Sequence, residues 1–212
     1  MYIPEAFLLE DRETILELMH QYDFALLVTA RGGAVQASHL PVLLDAEHGP
    51  QGTLFAHMAR ANPQWRDFAE LESDAMVVFQ GPHAYISPSW YGPGRHVPTW
   101  NYMAVHAYGR PQVIEDDAAV HDLLERMVAR HETGRSPSWS MDSQDESYLS
   151  AMRRGIVAFE LPIARLEAKA KLSQNKRESV QADVVAALDA EGDTTSRDVA
   201  EAMRSLKVTE PA

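Results

Sequence analysis

The sequence predicts a mainly β fold, a small barrel of about six antiparallel strands with peripheral helices. Three observations predict it. Apolar, β-rich runs follow one another through tight turns or short helices, which suits antiparallel pairing. Strands do not alternate with helices of crossover length, so a parallel βαβ sheet is disfavoured. Apolar residues make up 45% of the 212, enough for one compact core with a small appendage. The expected division is a barrel domain with inserted helices over residues 1–170 and a helical segment over 171–212, packed on or near it.

Asp11 can cap a short amphipathic helix in which Ile15, Leu18, Met19 and Tyr22 share a face. DFALLVTA and AVQASHLPVLL flank Gly32-Gly33 and read as a hairpin. Pro41 has no N–H, so the second strand is expected to be at an edge or a bulge there. TLFAHMA is a third strand. Asn62-Pro63 opens a short helix, with Asn as cap and Pro at the first helical position. DAMVVFQ reads as a strand, Gly81-Pro82 as a turn and HAYIS as another strand. TWNYMAVHAYGRPQVIE is one extended strand, bent between Gly109 and Pro111. DDAAVHDLLERMVARHE is a helix with acids at its start and bases at its end, as the macrodipole favours. DESYLSAMRR is a short helix and GIVAFELPIARLEA the final strand. KLSQNK leads into a helix, with Asn175 and Glu178 at capping-box spacing. VQADVVAALDA and SRDVAEAMR are two small closing helices.

Several chemistries are excluded or disfavoured. The chain has no cysteine, which removes disulfides, thiolate catalysis and cysteine zinc sites. Its nine histidines are scattered, with no HExxH, and neither GxSxG, GxGxxG nor a Walker loop occurs. No metal site and no catalytic residue is assigned. The longest apolar run falls short of the roughly 18 residues of a membrane helix, and the N-terminus does not read as a secretory signal. A cytoplasmic location is therefore expected. A net charge of -12 disfavours nucleic acid as a partner. One local route to DNA stays open. Arg153, Arg154, Arg165, Lys169, Lys171, Lys176 and Arg177 stand against only Glu160 and Glu167 in that segment. A solvated face balancing acids elsewhere is the equally weighted alternative.

Two places suit an anionic ligand. Arg60 precedes the Asn62-Pro63 helix start, where a guanidinium and unpaired amides can hold a phosphate. Lys171, Ser173, Gln174 and Lys176 surround a second helix start. Each pattern is also an ordinary way to begin a helix. The neighbouring ISPSWY loop, with Ser87 and Ser89, raises the odds of a site. In VPTWNYMAVHAYG, Trp100, Tyr102, His106 and Tyr108 share parity along a strand, opposite Asn101, Met103, Val105 and Ala107. Such a ring row is more often a core or subunit seam than a cofactor wall. The readings are compatible if the ligand lies in the seam, and a flavin suits that place.

HMARANPQWR, FQGPHAYISPSWY, HVPTWNYMAVHAYG and KLSQNK, in this order, resemble the PaiB-type FMN-binding negative transcriptional regulators. The similarity runs from MYIP to the helix after KLSQNK. The resemblance implies an FMN-binding split β-barrel and a homodimer with its flavin at the subunit interface. It also implies a phosphate contact from Arg60, with Asn62 close by, and a strand bearing Gln36, Ala37, Ser38 and His39 along the flavin ring. Trp100 and Tyr102 join Ser87, Ser89 and the Lys171–Lys176 group as expected flavin contacts. Regulation need not be direct, because no basic recognition helix is present. An FMN-dependent oxidoreductase of flavin-reductase or pyridoxamine-phosphate-oxidase type is the alternative. A haem-binding relative, with His39, His57 or His106 as axial ligand, is a third reading.

Overall fold

A computed structural model of the chain describes residues 1–71 and 73–206. The last six residues of the expected C-terminal segment lie outside the described residues. Helix α1 (Arg12–Gln21) is capped as expected, the Asp11 carboxylate accepting from the Thr14 N–H at 2.8 Å. Ile15, Leu18 and Met19 are its buried face. Strands β1 (Phe24–Arg31) and β2 (Ala34–Asp45) form the hairpin. Arg31 pairs with Ala34, which leaves Gly32 and Gly33 as a two-residue turn with φ of 55° and 79°. That is the left-handed turn whose twist matches the strands, and glycine adopts it without a Cβ penalty.

Pro41 sits where β2 changes partner. Residues 34–41 of β2 pair with β1, and from Val42 the strand pairs with β3 (Thr53–Ala59). The missing N–H thus falls at the changeover, where a ladder bond is least needed. A 3-10 helix, Pro63–Glu70, follows β3. Next comes β4 (Ala75–Ile86), one unbroken strand. The turn expected at Gly81-Pro82 is absent. Gly81 serves close packing instead: a Cβ there would lie 2.9 Å from Leu18 Cδ1 and 3.0 Å from the Met103 carbonyl oxygen. The extended segment after residue 98 breaks at Arg110-Pro111, as expected, into β5 (Thr99–Gly109) and a two-residue β6 (Gln112–Val113).

Helix α2 (Asp117–Glu132) is capped by Asp116 and carries Arg130 and His131 in its last turn. Helix α3 (Glu146–Arg154) leads into β7 (Ile156–Lys171), which runs three residues beyond the predicted strand. Helices α4 (Glu178–Glu191) and α5 (Thr194–Ser205) close the described chain. Arg177, whose side chain makes no capping hydrogen bond, is the α4 N-cap, so the expected Asn175–Glu178 capping box does not form.

The strands are hydrogen-bonded in the order β3-β2-β1-β4-β5-β7-β6, and β3 also pairs with β7. The cycle of neighbours therefore returns to its start, with β6 appended. The mainly β, antiparallel fold class is as predicted, with seven strands among the described residues where about six were expected.

The chain divides into two compact units. One comprises residues 19–78 and 107–166. Its core packs Val120, Leu123 and Met127 of α2 against Leu43, Phe55 and Ala158. The other comprises residues 1–18, 79–106 and 167 onward. Here α4 packs on α5 and on the 3-10 turn Pro88–Tyr91, burying Val184, Leu188 and Val199 completely. Among the described residues no helix is long and apolar enough to cross a membrane.

Burial sets the acid sensitivity of the fold. His20, His57 and His106 all titrate below the ordinary histidine value of 6.5, in each case chiefly because burial disfavours the imidazolium. The unfolded chain therefore binds more protons than the native one between the lowered values and 6.5. Their contribution to stability is fully present above pH 6.5 and is lost as pH falls through that window. Unfolding midpoints measured in urea should be flat from pH 7 to 8 and decline below about pH 6.5. His57→Phe should make that decline shallower.

Candidate functional site: a cationic cleft beyond β7

Strand β7 ends at Lys171, and six residues lead from it to α4. The backbone is held in place there by side chains. Gln174 folds back, accepting from the Leu172 N–H at 2.7 Å and donating to the Ala170 carbonyl at 2.5 Å. Ser173 adopts φ 62°, in the left-handed region that costs a non-glycine residue about 1–3 kcal/mol. Its hydroxyl is locked to buried Asn101 of β5, whose Nδ2 donates at 3.0 Å. A residue in that region persists only where its surroundings over-determine it.

This turn forms one wall of a cleft of about 260 Å³. Arg95, His96, Lys171 and Lys176 line it together with Ser173 and Asn175, and no carboxylate is among the lining residues. Lys171 Nζ donates to Thr99 Oγ1 and to the Trp100 carbonyl, each at 2.5 Å. Its pKa is lowered, first by burial and then by the neighbouring charges of Lys169 and Lys176. Lys176 Nζ lies 5.1 Å from the Tyr91 ring centroid, and His96 packs on the same ring at 5.2 Å. His96 Nε2 is buried, with no hydrogen-bond partner among the described residues. Concentrated positive charge and an unsatisfied ring nitrogen are complementary to an anion. The FMN phosphate fits this donor set. The volume suits a phosphate and part of a ribityl chain, so the flavin ring would lie outside it.

The predicted contacts fall into two groups, one in each unit. Lys171, Ser173 and Lys176 are brought together in the cleft. Gln174 supports its backbone. Ser87 and Ser89 pair with each other at 2.8 Å, and Ser87 caps the 3-10 turn after β4. Trp100 is 53% exposed and lies against His83 and Tyr85. Tyr102 carries Lys169 Nζ at 5.2 Å. The parity prediction for β5 holds, but the buried side is Asn101, Met103, Val105 and Ala107, with the rings on the more exposed side. The rings therefore do not form the core.

Arg60, Asn62, Ser38 and His39 are in the other unit. Arg60 Nε and Nη2 donate to the carbonyls of Arg154 and Ile156 at 2.8 and 2.7 Å, and its backbone N–H donates to Gly155. It ties the end of β3 to the start of β7. Asn62 caps the 3-10 helix through the Gln64 N–H and donates to Ser38 Oγ at 2.8 Å. His39 stacks on Phe24. Sequence reasoning missed Arg95 and His96, although RH in an otherwise Pro- and Gly-rich loop was a visible signal. It also missed Asn101, whose role depends on a residue 72 positions away.

Most of the basic segment is committed to particular contacts. Arg153 is buried and bonded to Asp117 and Glu146, Arg165 lies 3.7 Å from the Tyr108 ring centroid, and Lys169 donates to the Tyr2 carbonyl.

The strand cycle is that of the split-barrel class of proteins. The chain belongs to the family described as "Putative FMN-binding domain", whose model matches residues 1–165. It is 36% identical over 203 residues to the "Protease synthase and sporulation protein PAI 2" of Bacillus subtilis, covering 96% of each chain. The PaiB-type resemblance is thereby borne out. Among solved structures, it is similar to the FAD and heme binding protein from Mycobacterium smegmatis, with a TM-score of 0.56, 18% identity and coverage of 76% of this chain and 71% of that one. It is also similar to the flavocytochrome Anf3 from Azotobacter vinelandii, with a TM-score of 0.56, 17% identity and coverage of 76% and 67%. These two likenesses concern the fold. The family match ends before Lys171, whereas the Bacillus relative spans nearly the whole chain.

Proposed function

We propose that the chain is an FMN-binding, homodimeric regulatory protein of the cytoplasm, with the flavin phosphate seated among Arg95, His96, Lys171 and Lys176. The observation that carries this reading is the cationic cleft, whose lining offers donors and positive charge with no carboxylate. Family membership supplies the identity of the ligand. Bound FMN supplies a redox-active ring, and the protein supplies binding and orientation. Lys171 and Lys176 neutralise the phosphate, while His96 Nε2–H donates to one of its oxygens. Regulation through a protein partner, rather than direct operator contact, agrees with the acidic total and with the engagement of Arg153, Arg165 and Lys169 in contacts within the protein.

The test is a flavin titration followed by fluorescence quenching. FMN is expected to bind at micromolar concentrations and riboflavin about 10–100-fold more weakly, since one charge-assisted hydrogen bond is worth about 1.5–3 kcal/mol. Equal affinities would remove the phosphate assignment, and no uptake at tens of micromolar would remove the flavin. Sedimentation as a monomer would remove the dimer. Anaerobic bleaching of the bound flavin by a reduced nicotinamide would transfer the protein to the oxidoreductases.

A further inference from the structure

A second cavity lies in the unit formed by residues 19–78 and 107–166, and none of its lining residues belongs to the cationic cleft. It measures about 230 Å³. Its walls are mostly apolar: Leu124 comes from α2, Leu149 from α3 and Ile156 from the start of β7, with half-exposed Trp139 among the lining residues. Two polar residues reach it, His57 of β3 and Arg153 of α3.

Their chemistry defines the guest. His57 Nδ1 is buried and has no hydrogen-bond partner among the described residues. A buried polar atom without a partner is costly, and in a site of this kind it marks where a ligand's polar group belongs. A neutral imidazole nitrogen is a donor in one tautomer and an acceptor in the other. A hydroxyl satisfies either, because it both donates and accepts. Arg153 does not ask for an anion. Its Nε and Nη2 donate to the two Asp117 carboxylate oxygens at 3.3 and 3.2 Å, Nη2 donates to Glu146 at 2.6 Å, and Nη1 lies 3.1 Å from His121 Nδ1. Its charge is thus answered by two carboxylates that do not line the cavity. A cation would meet that guanidinium with no acid in the lining.

The volume narrows the class further. Sites for drug-sized ligands run to roughly 300–1,000 Å³, whereas an apolar cavity of about 150 Å³ holds a benzene. The cavity is too small to enclose a porphyrin. We infer that this cavity is a binding site for a small neutral hydroxyl compound, phenol-like or a compact cyclic alcohol, whose apolar body fills the space between α2, α3 and β7 and whose hydroxyl pairs with His57 Nδ1. The inference is independent of the FMN reading, since failure of flavin binding leaves every residue of this cavity in place.

The experiment uses the full chain with phenol, cyclohexanol and benzoate as probes. Trp139 fluorescence and the nitrogen chemical shift of His57 Nδ1 are the readouts. Phenol is expected to saturate with a Kd on the order of 1 mM or tighter, the range open to a ligand of seven heavy atoms. Cyclohexanol should follow it, and benzoate should bind at least about tenfold more weakly because its charge has no free partner. The Nδ1 resonance should move with phenol along the same saturation curve. Val128→Phe, which fills the cavity from α2, should abolish binding while circular dichroism stays native. The His57 shift in the unmodified protein keeps the test decisive if that variant misfolds. Saturation without movement of Nδ1, benzoate binding as tightly as phenol, absence of saturation at about 10 mM, or undiminished binding by a folded Val128→Phe protein would each overturn the assignment.

Discussion

Gly109→Ala is expected to destabilise the protein by about 3 kcal/mol or more, the upper part of the range for overpacking. A Cβ at Gly109 would lie 2.2 Å from the Pro162 carbonyl oxygen and 2.6 Å from Leu161 Cδ2. The first of these is backbone in the middle of β7, and Leu161 is fully buried, so neither can yield without moving the strand. For a chain of this size the melting temperature should fall by roughly 6–12 °C. Gly155→Ala is the control, because its added carbon would meet only the Met152 carbonyl oxygen, at 3.2 Å. It should cost less than about 1 kcal/mol. Urea denaturation of the two variants compares them directly. Equal stabilities would mean that β5 and β7 do not approach closely at this point.

Lys171→Glu combined with Lys176→Glu is expected to abolish the preference for FMN over riboflavin. Two cations become two anions in a cleft whose lining contains no carboxylate, so the phosphate meets repulsion where it had paired. FMN affinity should drop at least about 100-fold, with riboflavin affinity changed far less. Lys171 also supplies donors to Thr99 and Trp100, so some loss of melting temperature accompanies the change. Arg60→Gln should behave in the opposite way. It removes two guanidinium bonds, to the last residue of α3 and the first of β7, lowering stability, and should leave the FMN-to-riboflavin ratio near its original value. If Arg60→Gln instead erased the ratio and the lysine reversal did not, the phosphate would belong to the Arg60 group.

Much of the fold was legible because local chemistry decides it. Gly32-Gly33 specifies its turn, Asp11 and Asp116 cap their helices, and the alternation along β5 sorts its residues onto two faces by parity. Gly81-Pro82 misled because a glycine required for close approach looks the same in sequence as a glycine required for a turn. Which side of β5 faces inward was also hidden. Aromatic rings and the small set of Asn101, Met103, Val105 and Ala107 are both acceptable interiors, and long-range packing chose the second. Asn175 carried the right residue type for a cap, yet α4 begins two residues later and leaves it to the cleft. At the candidate site, the lysines were visible through KLSQNK. Arg95 and His96 stood out only as a polar pair in a Pro- and Gly-rich loop, and their approach to the β7 turn depends on tertiary structure. Arg60 had the right charge and position for a phosphate, but the sequence could not show that the carbonyls of Arg154, at the end of α3, and Ile156, at the start of β7, occupy its guanidinium.

The handover at Pro41 ties two alignments together. One strand serves β1 along its first part and β3 along its second, so a single inserted or deleted residue within it cannot be absorbed by one neighbour alone. Whichever side of the lesion keeps its alignment, the other is displaced by one position, and side chains meant for the interior turn to water. Length variation in this part of the chain should therefore be tolerated in the Gly32-Gly33 turn and in the loop after Asp45, and strongly resisted between them.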